Sequence, residues 1–432
     1  MLQHCLPTAI LQALSELPKT LDETYQRVLN EIGMVDRDLT HRLLQCLTMA
    51  IRPLRVKELA EILALDFTVA DGATPELKED HRSENPEEAV LSICSSLIMI
   101  AGTGQSRVIQ FSHFSVKEFL TSRRLADFHE MDYIGDEPAH TTLAQACLGT
   151  LLRLDGSLSN LQVDHRFPFA RYASQHLVEH AQFGKVSLQI EDGMQRLFDS
   201  TNPYFVTWIR LHNMDDHWTQ FGNSSAACGS PLYYASLFGF RDLAAHIIKD
   251  HPEQVNAKGG RNLSPLAAAL YKGHFHVAEL LLQHGASINV TGHNNQTPLQ
   301  AASMDGRSDV ARWLLDHGAD THSQRDDLAS PIHLATVNGH LEVIKALLEH
   351  EVNIDSADKD GRTPLHLASY AGKADIVRLL LKKGANTSVV DKDGWTSLTL
   401  ATTTEVVRLF DHGASLDEGG RSTDGGIENG KV

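Results

Sequence analysis

One repeated segment constrains the fold of this chain more than any other feature of its sequence. Residues 330–361 contain a Ser-Pro pair, two apolar runs and a terminal Gly, and copies of this segment lie on both sides. Five copies align on a proline, with a first spacing of 34 residues and then 33 throughout, at Pro231, Pro265, Pro298, Pro331 and Pro364. A sixth copy without the proline starts at Ser397, and three residues missing between its two apolar runs predict an irregular terminal cap. A fixed period near 33 residues indicates a repeat array.

Each repeat predicts two short helices. In the fifth copy, Thr363 caps the first helix, and Pro364 occupies a first-turn position whose amide has no intrahelical partner. Gly372 ends this helix, and the run IVRLLLKKGA predicts a second apolar helix that stops at Gly384. One such pair cannot bury both its faces, so its stability depends on stacking against its neighbours. The pattern resembles the ankyrin repeat over residues 229–416, and the resemblance implies an α-solenoid.

Composition limits the possible partners and compartment. The chain has 432 residues and a formal net charge of −17, which argues against a nucleic-acid-binding surface and favours a basic or uncharged protein partner. The start lacks the basic and unbroken apolar regions of a signal peptide, and the SLIMI run is too short to cross a bilayer. Five scattered cysteines without a C-x-x-C pair indicate reduced thiols in the cytosol or nucleus, and the expected location is cytoplasmic; the cysteines are Cys5, Cys46, Cys94, Cys147 and Cys228.

The first half of the chain predicts helices interrupted by one β-hairpin. Residues 8–32 and 36–64 each predict a pair of helices, and the acidic stretch 71–88 predicts a loop. SSLIMIAG and RVIQFSH predict two strands around a turn at residues 103–106, and SVKEFLTSRRLADF predicts a helix. The expected fold is therefore mainly α, with a winged-helix-like and helical N-terminal region followed by the solenoid.

These segments also resemble a known family. LPKTLDETYQRVL, PLRVKELAEILAL and VIQFSHFSVKEFLTS are similar to the region directly behind the nucleotide-binding domain of fungal NACHT proteins, which are STAND-type NTPases. HTTLAQACLGTLL, FPFARYASQHLVEHA and PYFVTWIRL are similar to the helical linker that precedes ankyrin repeats in those proteins. The expected domains are a helical segment (1–35), a winged-helix-like domain (36–128), a helical linker (129–228), six ankyrin repeats (229–416) and a disordered tail (417–432).

The sequence lacks the phosphate-binding loop of this family. No G-x-x-x-x-G-K-(S/T) occurs, and Gly184-Lys185 has neither the upstream glycine nor the following hydroxyl residue. We therefore expect a non-catalytic chain without a cofactor, whose nucleotide-binding domain, if it acts with one, lies upstream or in trans.

Two histidine motifs have both a functional and a structural interpretation. The resemblance implies that His113, at a strand-to-helix junction, touches a nucleotide phosphate when an NTPase domain is present; the alternative is that it hydrogen-bonds the local turn. His176, Glu179 and His180 match the H-x-x-E-H pattern of a zinc hydrolase, and the alternative is an amphipathic linker helix. Other histidines recur with the repeat, as at His333 and His366, which favours hydrogen bonding within the array.

The expected binding surface consists of positions at which the repeat pattern does not determine the residue type. The two residues before each inner-helix turn should form a ladder on the concave face; they are Leu237 and Phe238, Tyr271 and Lys272, Met304 and Asp305, Val337 and Asn338, and Tyr370 and Ala371. Leu237 and Phe238 are the positions most open to burial within the chain. Hairpin tips extend the surface with Lys359, Asp360, Arg362, Lys392, Asp393 and Trp395, although a solvated charged rim is the alternative. Gly361 and Gly394 predict left-handed tips, Asn262 and Asn295 tolerate that conformation, and Leu328 predicts a distorted tip. Together they predict protein recognition or scaffolding, as the sensing arm of a STAND-type signalling protein.

Overall fold

The chain forms two compact units, residues 1–223 and 224–432. The computed structural model describes residues 21–31, 37–67, 74–104, 107–122, 133–212, 229–260, 264–291, 296–324, 327 and 329–413. No helix in these ranges is long and apolar enough to cross a membrane. Some predictions lie outside the described residues: the helix over 8–20, the tip positions Asn262, Asn295 and Leu328, and the tail from Asp417.

The first unit begins with a winged-helix arrangement. Its elements are α1 (Leu21–Glu31), α2 (Arg37–Met49), α3 (Val56–Leu63), β1 (Leu65–Asp66), β2 (Glu76–Leu77), α4 (Pro86–Cys94), β3 (Ile98–Ala101), β4 (Val108–Phe111) and α5 (Phe114–Leu120). Strands β3 and β4 pair antiparallel, with Ile98 opposite Phe111. The segment before α3 also pairs with β4, because the Ile109 amide donates to the Leu54 carbonyl at 2.9 Å. The predicted hairpin is therefore present and extended.

Two predictions in this region were wrong. The stretch 71–88 was expected to be a loop, but β2 pairs antiparallel with β1, and α4 begins at Pro86 after the side chain of Asn85 caps it. The helix predicted over residues 115–128 begins at Phe114 and ends at Leu120, before Thr121 and Ser122, and residues 123–128 lie outside the described residues. In the first case, the polar composition concealed the pairing because β2 buries only Leu77.

Six helices follow in the described part of the first unit. They are α6 (Asp136–Leu151), α7 (Asn160–Arg166), α8 (Ala170–Ala181), α9 (Val186–Gln189), α10 (Glu191–Phe198) and α11 (Tyr204–His212). Helix α6 buries ten residues and packs against α2 and α8. Trp208 is fully buried, and its indole N–H donates to the Ser174 carbonyl at 3.1 Å. This bond satisfies the polar atom of the largest core side chain.

Buried polar groups join the winged helix to these helices. Glu61 on α3 is 5% exposed and accepts a hydrogen bond from the Phe169 amide at 2.8 Å. Arg82 donates to the Arg166 carbonyl at 2.9 Å and pairs with Glu61 at 3.4 Å. Burial raises the pKa of Glu61 from 4.5 to about 7, against the opposing effect of the Phe169 amide and of Arg82.

A second buried network includes two histidines. The Ile51 amide donates to the Tyr172 hydroxyl at 3.1 Å, so the single hydroxyl proton is available for Nε2 of His180 at 3.0 Å. His180 then carries its proton on Nδ1 and donates it to Nδ1 of His140 at 2.8 Å. This direction of the two hydrogen bonds requires that the His180 imidazole be neutral. Burial, followed by the nearby His140 and His176, lowers the pKa of His180 from 6.5 to about 3.

The second unit is a stack of helix pairs. Its inner helices are α12 (Pro231–Phe238), α14 (Pro265–Lys272), α16 (Pro298–Asp305), α18 (Pro331–Asn338) and α20 (Pro364–Tyr370). Its outer helices are α13 (Arg241–Asp250), α15 (Phe275–Gln283), α17 (Ser308–Asp316), α19 (Leu341–Glu349), α21 (Ala374–Lys382) and α22 (Thr404–Gly413). Each inner helix begins at its repeat proline, as predicted, and the preceding Ser or Thr serves as its N-cap.

Repeat histidines connect successive repeats, as predicted. Nδ1 of His366 lies 2.8 Å from the Thr363 hydroxyl, and Nε2 of His366 reaches the Trp395 carbonyl at 3.2 Å. His333 makes the equivalent bonds to Ser330 and to the carbonyl of Arg362, at 2.7 and 3.1 Å. Each imidazole therefore caps one inner helix and holds the hairpin of the next repeat.

Two irregularities mark the C-terminal repeats. The position before Ala286, Ala319 and Ala385 is glycine with positive φ, but in the fourth repeat the equivalent residue is Glu351, at φ 54°. Glu351 therefore occupies a left-handed conformation that disfavours a side chain. In the sixth copy, residues 397–400 form only a turn, and the single helix α22 follows. The sixth repeat thus lacks its inner helix, in line with the predicted irregular cap.

Candidate protein-binding surface

Four of the five inner helices named above, α14, α16, α18 and α20, expose one large apolar side chain each at the same helical position. Counting six residues from the repeat proline gives Tyr271, Met304, Val337 and Tyr370, whose exposed fractions are 41, 38, 53 and 64%. Most of the other apolar residues on these helices are buried against neighbouring helices. The four side chains therefore form an apolar row with one member per repeat, as the sequence predicts for the ladder.

The polar members of the ladder are also exposed. Lys272, Asp305 and Asn338 follow the apolar position in consecutive repeats, and Nζ of Lys272 lies 5.8 Å from the centre of the Tyr271 ring. The first step of the ladder differs, because Leu237 and Phe238 are half-buried, with Phe238 near the rings of Tyr234 and Phe240. Burial within the chain, the alternative considered for Leu237 and Phe238, thus applies to the first repeat. The exposed row begins at Tyr271.

The predicted tip residues lie on two ordered hairpins. Oδ1 of Asp358 accepts from the amides of Asp360 and Arg362 at 2.9 Å each, and Gly361 has φ 78°. The next tip has the same construction around Gly394, at φ 81°, as expected for a left-handed tip position. Lys359, Asp360, Lys392, Asp393 and Trp395 are exposed, with Trp395 52% exposed.

Adjacent tips are joined through backbone and charge. The Lys392 amide donates to the Asp360 carbonyl at 3.0 Å, and Nε of Arg362 lies 3.6 Å from Oδ2 of Asp391. The amide of Trp395, then that of Asp393, holds the pKa of Asp391 below its usual value. Arg362 is thus half-buried and paired with Asp391, so it is the least available of the predicted tip contacts.

Sequence reasoning missed part of the exposed apolar surface. Val390 and Leu398, on either side of Trp395 in the last hairpin, are 54 and 41% exposed. The signal that could have found them is the irregular sixth copy, because a repeat without an inner helix does not cover the preceding hairpin in the usual way.

His113 occupies the predicted strand-to-helix junction as the N-cap of α5. Its Nδ1 accepts from the Ser115 amide at 3.3 Å and lies 2.6 Å from the Ser115 hydroxyl. The ring is exposed and lies beside that of Phe114, with centres 4.4 Å apart. His113 thus makes the hydrogen bond to the local turn that the structural alternative predicts. The outer edge of its ring remains in solvent.

The H-x-x-E-H residues lie on α8 in different environments. Nδ1 of His176 is 3.2 Å from exposed Glu179, whereas His180 is fully buried with both ring nitrogens hydrogen-bonded. Metal ligation by His180 would break the bonds to Tyr172 and His140. Within the described residues, no group of three or more His, Cys, Asp or Glu side chains is arranged to hold a metal ion. The arrangement thus favours the structural interpretation of this motif.

Comparison with known families agrees with this architecture. The model described as ankyrin repeats (3 copies) matches residues 232–325 and 332–419, and the model described as GPI inositol-deacylase, winged helix domain, matches residues 29–130. The chain combines ankyrin repeats with a winged-helix domain. The winged-helix match covers α2 to α5 and the β3–β4 hairpin, and the ankyrin matches cover the ladder and both tips.

The relatives of this winged-helix and ankyrin-repeat chain include fungal proteins. It is 35% identical over 287 residues to the azaphilone pigments biosynthesis cluster protein L of Monascus ruber, covering 62% of this chain and 59% of that protein. It is 30% identical over 112 residues to the vegetative incompatibility protein HET-E-1 of Podospora anserina, covering 26% of this chain and 7% of that protein. The chain thus spans less than two thirds of either relative.

A solved ankyrin repeat protein also matches, with 26% identity and a TM-score of 0.39, over 42% of this chain and 96% of that one. The match to the ankyrin-repeat family model indicates protein partners, and the ankyrin fold is typically non-catalytic.

Proposed function

We propose that this chain captures a protein partner on its inner-helix ladder and tips, as the non-catalytic recognition arm of a STAND-type signalling protein in the cytoplasm. The observation that carries the proposal is the row of Tyr271, Met304, Val337 and Tyr370, exposed at one position in four consecutive repeats. Aligned aromatic and aliphatic side chains on a rigid scaffold supply the anchors of a protein interface, and nearby charges orient the partner.

Charge on the winged helix supports a protein partner over a nucleic acid. The helix that precedes the hairpin, α4, has the sequence PEEAVLSIC, with Glu87 and Glu88 in its first turn and no basic residue. A helix of this charge would repel the phosphates of a DNA groove. The similarity to fungal NACHT-type proteins supports the signalling role. One matched relative, HET-E-1, is named for vegetative incompatibility.

The test is quantitative co-purification of proteins with the tagged chain from cells that express it. The ladder variant changes Tyr271, Met304, Val337 and Tyr370 to Glu. We expect it to lose at least about tenfold in captured partner, because an unpaired charge in an apolar contact costs more than ~1.4 kcal/mol. Folding should persist because all four side chains are exposed.

A charge-matched control separates contact from net charge. Arg312→Glu with Arg378→Glu also lowers the net charge by four, but on the outer helices α17 and α21, at exposed side chains. This control should retain the partner. Equal retention by the ladder variant would refute recognition through the ladder.

A second function rests on the exposed ring of His113. The chain would then form the regulatory half of a nucleotide-dependent switch, with the NTPase domain supplied upstream or in trans. The test is release of a fluorescent nucleotide from a fungal NACHT NTPase domain mixed with this chain. Slower release with the native chain than with His113→Ala supports the switch, and identical release with both contradicts it.

A further inference from the structure

A cleft of about 490 Å³ lies within the first unit, between the winged helix and helices α7 and α8. Its volume falls in the range of small-molecule sites, which is roughly 300–1,000 Å³. None of the ladder or tip residues contributes to it. Its lining contains five basic side chains, which define the cationic cleft: Arg52, Arg55, Lys57, Arg107 and Arg171. This concentration of positive charge departs from the average of a chain whose net charge is −17.

Three carboxylates in the lining neutralise three of these arginines. The pairs are Arg52 with Glu58 at 2.7 and 2.8 Å, Arg171 with Asp164 at 2.5 and 2.8 Å, and Arg107 with Glu87. Arg55 and Lys57 are exposed and have no side-chain partner among the residues that the structure describes. The cleft therefore has an excess of two positive charges, with no other ionisable side chain in its lining.

The hydrogen-bonding capacity that remains in the cleft is mainly that of donors. Arg107 uses only one guanidinium nitrogen in its carboxylate pair, and Arg171 leaves Nη1 unused. Guanidinium forks match the oxygen geometry of phosphate.

Two arginines in the walls of the cleft are held by contacts within the chain. Arg52 is fixed by the 2%-exposed carboxylate of Glu58, and its guanidinium lies 5.0 Å from the ring centre of buried Tyr172 on α8. Arg171, which also lies on α8, is held by the carboxylate of Asp164 on α7. Preorganised donors reduce the entropy lost on binding.

We propose that the cationic cleft binds a small ligand that carries two or more phosphate groups. Arg55 and Lys57 supply the uncompensated charge, and Arg107 and Arg171 supply further donors from opposite walls. A bound ligand would bridge the winged helix and α8. The site is independent of the ladder.

The experiment is isothermal titration calorimetry of the full chain with inorganic pyrophosphate at low ionic strength. The test variant is Arg55→Gln with Lys57→Gln. The control is Lys117→Gln with Lys185→Gln, which removes the same charge from exposed positions of the first unit outside the cleft. We expect saturable binding that weakens at least roughly tenfold in the test variant, weakens much less in the control and decreases with added salt.

Citrate and sulfate titrations test the ligand class. Pyrophosphate binding that exceeds citrate and sulfate binding several-fold supports a phosphate site. Equal binding of citrate overturns the phosphate assignment. No saturable pyrophosphate binding, or equal weakening in the test and control variants, overturns the site itself. Circular dichroism of both variants establishes that each retains the native helix content.

Discussion

The buried His180 network predicts a specific loss of stability in acid. In the unfolded chain, the imidazole takes up a proton near pH 6.5, whereas in the folded chain the pKa of His180 is lowered to about 3. Because the unfolded state then binds more protons, the contribution of His180 to the free energy of unfolding is complete above pH 6.5 and is lost as the pH falls. The slope is about 1.4 kcal/mol per pH unit, which gives a loss of about 2 kcal/mol at pH 5.

Glu61 titrates in the opposite direction in the same unit. Its folded pKa of about 7 exceeds its unfolded value of 4.5, so its contribution is complete below pH 4.5 and is lost as the pH rises through 7. The total stability of the unit can therefore change little between pH 8 and pH 5. A comparison of variants isolates His180, because the effect of Glu61 is common to both proteins.

The assay is urea unfolding at pH 8 and pH 5, with pulsed hydrogen exchange and mass spectrometry of peptides from α8. His180→Gln removes the titrating group, and His165→Gln is the control at an exposed position on α7. The free-energy difference between native chain and His180→Gln should shrink by about 2 kcal/mol from pH 8 to pH 5. A difference that stays constant would refute the assigned network, and the control should show no change.

Three further predictions concern single side chains. His366→Ala should destabilise the array by about 1–3 kcal/mol in urea unfolding, and exposed His317→Ala by less, because only His366 bonds the next repeat. Glu351→Gly should raise the free energy of unfolding by about 0.5–1 kcal/mol by relieving its positive φ, and an unchanged value would contradict that strain. Cys46, whose pKa burial raises to about 12, and fully buried Cys147 should resist alkylation at pH 8 until urea is added, as measured by mass spectrometry.

The sequence determined the parts of this protein that depend on local chemistry. The (S/T)-P pairs fixed the starts of the inner helices, and the repeat period placed Tyr271, Met304, Val337 and Tyr370 at equivalent positions. Gly361 and Gly394 indicated their own left-handed tips. These predictions need only neighbouring residues and a nearest-neighbour stack, so a single sequence carries enough information.

Tertiary structure alone decided the features that join distant segments. It brought His140 to His180, Glu61 to the Phe169 amide, and β1 to β2 across an acidic stretch expected to be a loop. The cationic cleft likewise collects side chains from before α3, beside β4 and on α8, which no spacing in the sequence connects. The burial and charge balance of such groups depend on three-dimensional packing, because desolvation and Coulomb interactions act through space rather than along the chain.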